Sequence, residues 1–185
     1  ISLTEITFPN TLEEIGENLF NGCTSIETIH LSQSLKIIKK YTFFECNKLT
    51  KIRIPDSVIE IEKYAFLKCT SLKEVILSQS IIKLEDELFS ECSSLEQITI
   101  PDSVKLIGNN VFEKCTSLKT IVLPNSIEEI GAYSFSLCIS LNDITLPSGS
   151  LTKIQKGLFN ECSSLEQITI PDSVKLIENN VFEKC

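Results

Sequence analysis

Apolar residues follow a short repeating pattern along this chain. In stretches such as Ile98-Thr99-Ile100 every second residue is apolar, which is the period of a β-strand. Pro101-Asp102-Ser103 follows and predicts a turn, because proline cannot donate to a continuing ladder and Asp or Ser can cap the turn amides. Residues 104–107 then favour a second, shorter extended piece, and the spacing over residues 112–115 favours a helical turn of the 3₁₀ type.

This pattern returns every 23 residues. The cysteines mark it, because their successive spacings are 23, 23, 23, 23, 23, 24 and 23 residues. The single longer spacing comes from residues 147–150, which carry one residue more than residues 124–126. A period this short fits one strand with a compact return, so the chain is predicted to form about eight coils. The cysteines are Cys23, Cys46, Cys69, Cys92, Cys115, Cys138, Cys162 and Cys185.

One coil cannot enclose its own apolar side chains, but stacked coils can, because each repeated position becomes a ladder through the interior. A strand spacing of about 4.8 Å gives a rod roughly 34 Å long. The largest repeated side chain is phenylalanine, and we expect it to form a buried spine. Its members are Phe20, Phe43, Phe66, Phe89, Phe112, Phe135, Phe159 and Phe182.

The repeated unit reads L-x-x-I-x-I-P-x-S-V-x-x-I-x-x-x-x-F-x-x-C, and residues 95–115 and 165–185 carry it intact. This unit resembles the BspA-like, or Treponema-type, leucine-rich repeat. The resemblance implies a leucine-rich-repeat solenoid, rich in β-structure, with a parallel concave sheet and short turns or 3₁₀ segments on the return. It departs at Ser32 and Ser78, where proline is missing, and at the added residue near Gly149. We expect residues 1–185 to form a single domain of a longer protein.

Charge and hydropathy exclude several classes of partner. The formal net charge is −8, whereas nucleic-acid binding needs clustered Lys and Arg, and the same sign opposes docking on anionic lipid. The longest uncharged apolar runs, such as Ile121-Val122-Leu123, are far shorter than the roughly 20 residues of a membrane span. We therefore expect no nucleic acid and no membrane insertion.

The cysteines do not have the arrangement of a metal or disulfide framework. There is no C-x-x-C, and thiols 23 residues apart would lie in a line with parallel Cβ vectors. Zinc needs ligands that converge from different directions, and parallel vectors disfavour disulfide closure. We predict eight reduced thiols that fill a repeated buried slot near the turn backbone, with no metal and no cofactor.

No set of residues has the pattern of a catalytic site. His30 is the only histidine, and the equivalent positions in the adjacent coils hold Thr7 and Arg53, which do not complete a catalytic triad. An acid/base pair needs one carboxylate in a pocket that raises its pKa, whereas the carboxylate clusters Glu13-Glu14, Glu85-Asp86-Glu87 and Glu128-Glu129, and Glu60 with Glu62, fall between the core positions and are expected to be exposed. The sequence therefore favours a protein that is not an enzyme.

The outward strand residues are predicted to form an extended binding surface on the concave face. At its centre Lys51, Arg53 and Lys73 form a small basic group in an acidic protein, with an exposed Ile76 beside it. Charged residues next to an apolar one are typical of protein contacts. The predicted contacts with another protein are His30, Lys51, Arg53, Lys73, Ile76, Gln97 and Thr99.

Three functions remain open at this stage. The family resemblance implies a surface-displayed or secreted recognition module, since such proteins are often found on mucosal bacteria and protists and some adhere to host matrix proteins. Free thiols favour a cytoplasmic scaffold. The near-identical coils 93–115 and 163–185, which differ only at Gly108 and Glu178, favour a passive spacer. Because neither end has an obvious polar cap, end-to-end self-association is a further prediction.

Overall fold

The computed structural model describes residues 3–185, and these residues wind into eight stacked coils with parallel strands. The two segments of the coil that were predicted to be extended form strands. Each strand pairs with its equivalents in neighbouring coils, so the strands form two ladders. This arrangement confirms the predicted leucine-rich-repeat solenoid.

The main ladder contains the strands with alternating apolar residues. Its pairing keeps a constant offset of 23 residues, as in Glu5 opposite Thr28 and Lys51 opposite Glu74. Residues 166–170 of the eighth coil lie outside any strand. The strands of the main ladder are β1 (Glu5–Thr7), β2 (Thr28–His30), β4 (Lys51–Arg53), β6 (Glu74–Ile76), β8 (Gln97–Ile98), β10 (Thr120–Val122) and β12 (Asp143–Thr145). Strand pairing in this ladder is interrupted between β2 and β4 and between β8 and β10.

The second ladder contains the shorter extended pieces that follow the turn. Its pairing is interrupted between Glu129–Ile130 and Lys153–Ile154, which lie 24 residues apart because of the added residue, and also between Glu60–Ile61 and Lys83–Leu84. The strands of the second ladder are β3 (Ile37–Ile38), β5 (Glu60–Ile61), β7 (Lys83–Leu84), β9 (Leu106–Ile107), β11 (Glu129–Ile130), β13 (Lys153–Ile154) and β14 (Leu176–Ile177).

The return segment consists of short turns, and no 3₁₀ helix occurs within residues 3–185. Two residues of each coil have left-handed φ, for example Tyr64 at 66° and Lys68 at 60°, and such residues break a helical path. The amides of Tyr64, Phe66 and Lys68 instead donate to carbonyls of the next coil at 3.2, 3.1 and 2.9 Å. The return segments thus form a third set of hydrogen bonds between coils. These bonds satisfy backbone groups that a helix would have paired internally.

The phenylalanine spine is present as predicted. Neighbouring rings from Phe20 to Phe182 stack with centroids 4.9–5.8 Å apart and interplanar angles of 10–19°. The six rings from Phe43 to Phe159 have no exposed surface. Each ring therefore contacts equivalent rings on both sides, and the core continues through the stack of coils.

The cysteines lie beside this spine, and each one from Cys46 onward lies close to the turn backbone of the preceding coil. All eight are free, as predicted. The Cys46 thiol donates to the carbonyl of Phe20 at 3.3 Å and the Cys69 thiol donates to that of Phe43 at 3.0 Å. The same bond recurs at every later cysteine. The thiol thus gives a backbone oxygen at the core boundary a hydrogen-bond partner.

Native thiol labelling is expected to separate these cysteines into two groups. Only Cys23, which is half-buried, and Cys185, which is exposed, are accessible, whereas the other six are buried. Because the thiolate is the reactive form, Ellman's reagent at pH 8 should modify at most two thiols in the folded chain. The same titration in denaturant should count eight. A count well above two under native conditions would contradict the buried slot.

Serine replaces proline in the turns of two coils without loss of the turn. The Ser78 hydroxyl donates to the carbonyl of Val58 at 2.6 Å and accepts from the amide of Ser80 at 3.1 Å. The Ser32 hydroxyl accepts from the amide of Ser34 at 3.1 Å in the same way. A side-chain hydrogen bond therefore sets the turn that proline sets in the other coils.

Candidate binding surface

The outward residues of the main ladder form one continuous face, here called the main sheet face. Alternation along each strand produces it, since in β2 the central Ile29 is buried while Thr28 and His30 on either side are exposed. The surface follows directly from the two-residue period of a strand. All seven residues predicted to contact a partner lie on it or at its strand ends.

The exposure of those residues differs from the prediction at one position. Ile76 is half-buried, not exposed, and it lies beside the long Arg53 side chain in the register of β4 and β6. The apolar residue that does stand out on the main sheet face is Val122 in β10, which is 71% exposed. Sequence position alone could not predict the difference in exposure between Ile76 and Val122, because both are the third residue of their strands.

Two shallow depressions on the main sheet face are lined by predicted contact residues. His30 and Arg53 line the first, and Ile76, Gln97 and Thr99 line the second. A third depression, lined by Thr145 and Thr169 among others, was not predicted. The remaining polar side chains of the first depression are Thr7, Asn10 and Gln33. Hydroxyl, amide and guanidinium groups thus surround these depressions, and such groups bind by directional hydrogen bonds.

Ion pairs reduce the predicted basic group. The Lys51 ammonium lies 2.8 Å from the Glu74 carboxylate. Outside that group, the His30 imidazole lies 3.5 Å from the Glu5 carboxylate. Arg53 has no ion-pair partner among residues 3–185, and Lys73 has none there either. The main sheet face therefore presents one guanidinium whose five donors are available to a partner.

The buried thiols are poor nucleophiles in the folded chain. Burial raises the pKa of Cys46, Cys92 and Cys162 to about 12, so almost no thiolate is present at neutral pH. Within the described chain no group of three or more His, Cys, Asp or Glu side chains could hold a metal ion. In the same residues there is no helix with the length and apolar character needed to cross a membrane.

Several solved structures are similar to this chain. The leucine-rich-repeat protein TpLRR of T. pallidum superposes with a TM-score of 0.77 at 28% identity, over 94% of this chain and 72% of that one. The pneumococcal vaccine antigen PcpA superposes with a TM-score of 0.66 at 27% identity, over 93% of this chain and 52% of that one. No curated protein matches this sequence.

The sequence also matches a family model directly. The model is described as the BspA type leucine rich repeat region, and it matches in six copies over residues 1–119 and 83–185. These matches together span the whole chain, and the described coils have the strand, turn and return that the repeated unit predicts. The chain therefore belongs to the BspA-type leucine-rich-repeat family.

Proposed function

We propose that this chain is a recognition module that binds another protein on the main sheet face and that acts in adhesion at a cell surface. The observation that carries the proposal is Arg53, a guanidinium without an ion-pair partner in residues 3–185 that lines a depression beside His30. Arginine is enriched at protein interfaces because it forms several hydrogen bonds from one rigid group. A partner carboxylate in this depression would meet both side chains.

The rest of the surface supports a contact larger than one side chain. The second depression, with Ile76, Gln97 and Thr99, lies on the coils that follow, so one extended partner could reach both. Lys51 is held only by an exposed ion pair with Glu74, and such pairs contribute little stability. A partner carboxylate can therefore displace Glu74 at small cost.

Display at a surface is supported by the likeness to PcpA, which is described as a pneumococcal vaccine antigen. The alternative of a cytoplasmic scaffold rested on the free thiols. Those thiols lie in separate coils and donate to the carbonyls of Phe20, Phe43 and their equivalents. Because this geometry itself keeps the thiols unpaired, their reduced state favours neither compartment.

The test is binding of the purified chain to a panel of immobilised extracellular matrix proteins by biolayer interferometry. The wild-type chain is expected to bind at least one of them, and replacing Lys51, Arg53 and Lys73 by glutamate should weaken that binding by about 100-fold or more, as for a hot-spot loss. Arg53→Lys should weaken it less, since the charge remains but the fork of donors is lost.

A matched control changes the same number of charges elsewhere. Lys36, Lys175 and Lys184 are exposed and lie on the second ladder or the return segment, off the main sheet face. Their replacement by glutamate also shifts the net charge by −6. This control variant should bind as the wild type does. An equal loss of binding affinity in both triple variants would show that the effect comes from overall charge. Unchanged binding by the variant with Lys51, Arg53 and Lys73 replaced would show that the main sheet face is not the binding site. Absence of binding to the whole panel would contradict adhesion to matrix proteins.

A further inference from the structure

The two ends of the described stack expose residues of the core. In the first coil (3–23) Leu3 is 52% exposed, and in the eighth coil (163–185) Ile177 and Phe182 are 46% and 38% exposed. Equivalent residues of the inner coils have almost no exposed surface, as Ile107 and Phe112 show. Each end therefore presents an apolar surface of the kind that a further coil covers.

The fifth coil (93–115) indicates what fits on the outer surface of the eighth coil. The two coils have the same sequence except for Gly108 in the fifth and Glu178 in the eighth. The Glu178 carboxylate is turned toward the preceding coil, where it lies 2.6 Å from the Lys153 ammonium, so it leaves the outer surface unobstructed. The eighth coil thus exposes the surface that the fifth coil buries against the sixth (116–138).

The first coil resembles the sixth coil. Residues 9–16 read PNTLEEIG and residues 124–131 read PNSIEEIG, so the turn, the two glutamates and the glycine are shared. No other coil of this sequence has that combination. The contact between the fifth and sixth coils can therefore be repeated between the eighth coil of one copy and the first coil of another.

Backbone donors and acceptors match across this contact. Three amides of the fifth coil donate to carbonyls of the sixth at 2.8–3.0 Å, as Phe112 does to Ser134. The equivalent groups at the two ends form no backbone hydrogen bond among residues 3–185. They are the amides of Asn180, Phe182 and Lys184 and the carbonyls of Glu17, Leu19 and Asn21. A second copy would satisfy all six groups at once.

The charges match as well. Lys105 of the fifth coil lies 3.5 Å from Glu128 of the sixth. Their equivalents are Lys175 and Glu13, and neither has an ion-pair partner among residues 3–185. Of the six charged residues of the eighth coil, Lys175 alone would lie opposite a charged residue. The other glutamates of the first coil, Glu5, Glu14 and Glu17, would lie opposite Gln167, Leu176 and Asn179. No like charges meet at equivalent positions.

Gly16 supports the same contact independently. A side chain at Gly131, its equivalent in the sixth coil, would lie 2.5 Å from the backbone of Gly108. This close approach occurs where the Asn109 side chain accepts a hydrogen bond from the backbone of the sixth coil at 2.9 Å. The eighth coil has the equivalent Asn179, whereas Gly16 has open space around it in the single chain. A coil ending in this asparagine is thus the neighbour that a glycine at position 16 fits.

We propose that copies of this chain stack head to tail, with the eighth coil of one copy against the first coil of the next. The stack continues the phenylalanine spine from copy to copy, since Phe182 would face Phe20. Such a contact is heterologous, so it does not close at two copies and produces a growing filament. The main sheet face of each copy stays exposed, because the contact uses only the ends of the stack.

Sedimentation equilibrium over a concentration series measures the mass of the wild-type assembly. A phosphine reductant prevents the exposed Cys185 from forming disulfides between copies. Both end coils are acidic in sum, so the measurement is made at about 0.15 M salt, where repulsion between them is screened over about 8 Å. The average mass is expected to rise with concentration beyond that of a dimer.

Gly16→Ala provides a sharper test. In the single chain the added methyl group meets no atom within 4 Å, so the fold should be intact, whereas in the stack it would meet the backbone of Glu178. The association constant should fall about tenfold or more. Gly149→Ala is the matched control, because its methyl group would come no closer than 3.8 Å to Asn125 and lies away from both ends. Circular dichroism verifies that both variants are folded.

Exchange of the matched charges tests the register of the stack. Lys175→Glu and Glu13→Lys should each weaken the assembly by about threefold, since like charges then face each other at an exposed contact. The double variant should restore it, and an equimolar mixture of the two single variants should assemble as alternating copies. A wild-type chain that stays monomeric or stops at a dimer, an assembly that Gly16→Ala leaves unchanged, or a double variant without rescue would each overturn the proposal.

Discussion

Replacing Phe112 by alanine is expected to lower the free energy of unfolding by about 3–5 kcal/mol, the range found for phenylalanine truncations in well-packed cores. The ring is fully buried and stacks between Phe89 and Phe135 at centroid distances of 5.8 and 5.4 Å. Its removal leaves a cavity in the middle of the stack, and coils whose backbones are hydrogen-bonded on both sides cannot close it. Urea unfolding followed by circular dichroism measures the loss.

Phe182 is the matched control, because it is the same residue type at the same place in the coil. It stacks on Phe159 alone and is 38% exposed, so Phe182→Ala removes fewer contacts and opens no enclosed cavity. Its cost should be less than half that of Phe112→Ala. Equal costs at the two positions, or no cost at Phe112, would contradict a continuous buried spine.

Stability is also expected to fall steeply as the pH rises above 9. Burial raises the pKa of Cys46, Cys92 and Cys162 to about 12, whereas an unfolded thiol titrates near about 8.5. The folded chain therefore keeps protons that the unfolded chain releases. The stabilisation is complete below the unfolded pKa and is lost as the pH rises through the folded one.

The size of this loss follows from the number of thiols. Each buried thiol lowers the free energy of unfolding by about 1.4 kcal/mol per pH unit in this window, so three lower it by about 4 kcal/mol per pH unit. Burial raises the pKa of Cys69, Cys115 and Cys138 in the same direction and steepens the fall. Urea unfolding between pH 8 and 11, with a phosphine reductant present throughout, measures the slope.

Other groups also titrate above pH 9, so a cysteine variant isolates the contribution of the thiols. Cys92→Ala removes one buried thiol and leaves every lysine and tyrosine in place. Its starting stability should be lower, because packing is lost, but its slope should be shallower than that of the wild type by about 1.4 kcal/mol per pH unit. Parallel slopes for the two proteins would show that the thiols are not the source.

The exposed patch on the second ladder shows where the prediction from sequence stopped. Aligned repeats place Lys36, Ile59, Ile82 and Lys105 in one outward column, so the apolar pair is visible in the sequence. The function of this apolar pair depends on what covers it. Ile76, another outward isoleucine, is half-buried, whereas Ile59 and Ile82 are exposed. Exposure depends on the neighbours across the ladder, which periodicity does not specify.

The basic group of the main sheet face had a similar outcome. Its three members are adjacent in the alignment of repeats and lie on one face as predicted. The ion pair between Lys51 and Glu74 arises because these residues stand opposite each other in the register of β4 and β6. Whether the Glu74 carboxylate neutralises Lys51 depends on the rotamers of the two side chains. Those rotamers are a property of the folded protein.

The repeat period by itself determined the coil number, the buried columns, the phenylalanine spine and the separation of the thiols. It could do so because each coil contacts only its neighbours, so one set of spacings specifies every local contact. Only the tertiary structure decided the left-handed residues of the return, such as Tyr64 and Lys68, since hydrogen bonds to the next coil select that backbone over a helical turn. It also decided which outward residues remain accessible to a partner, because that accessibility depends on side chains brought together from different coils.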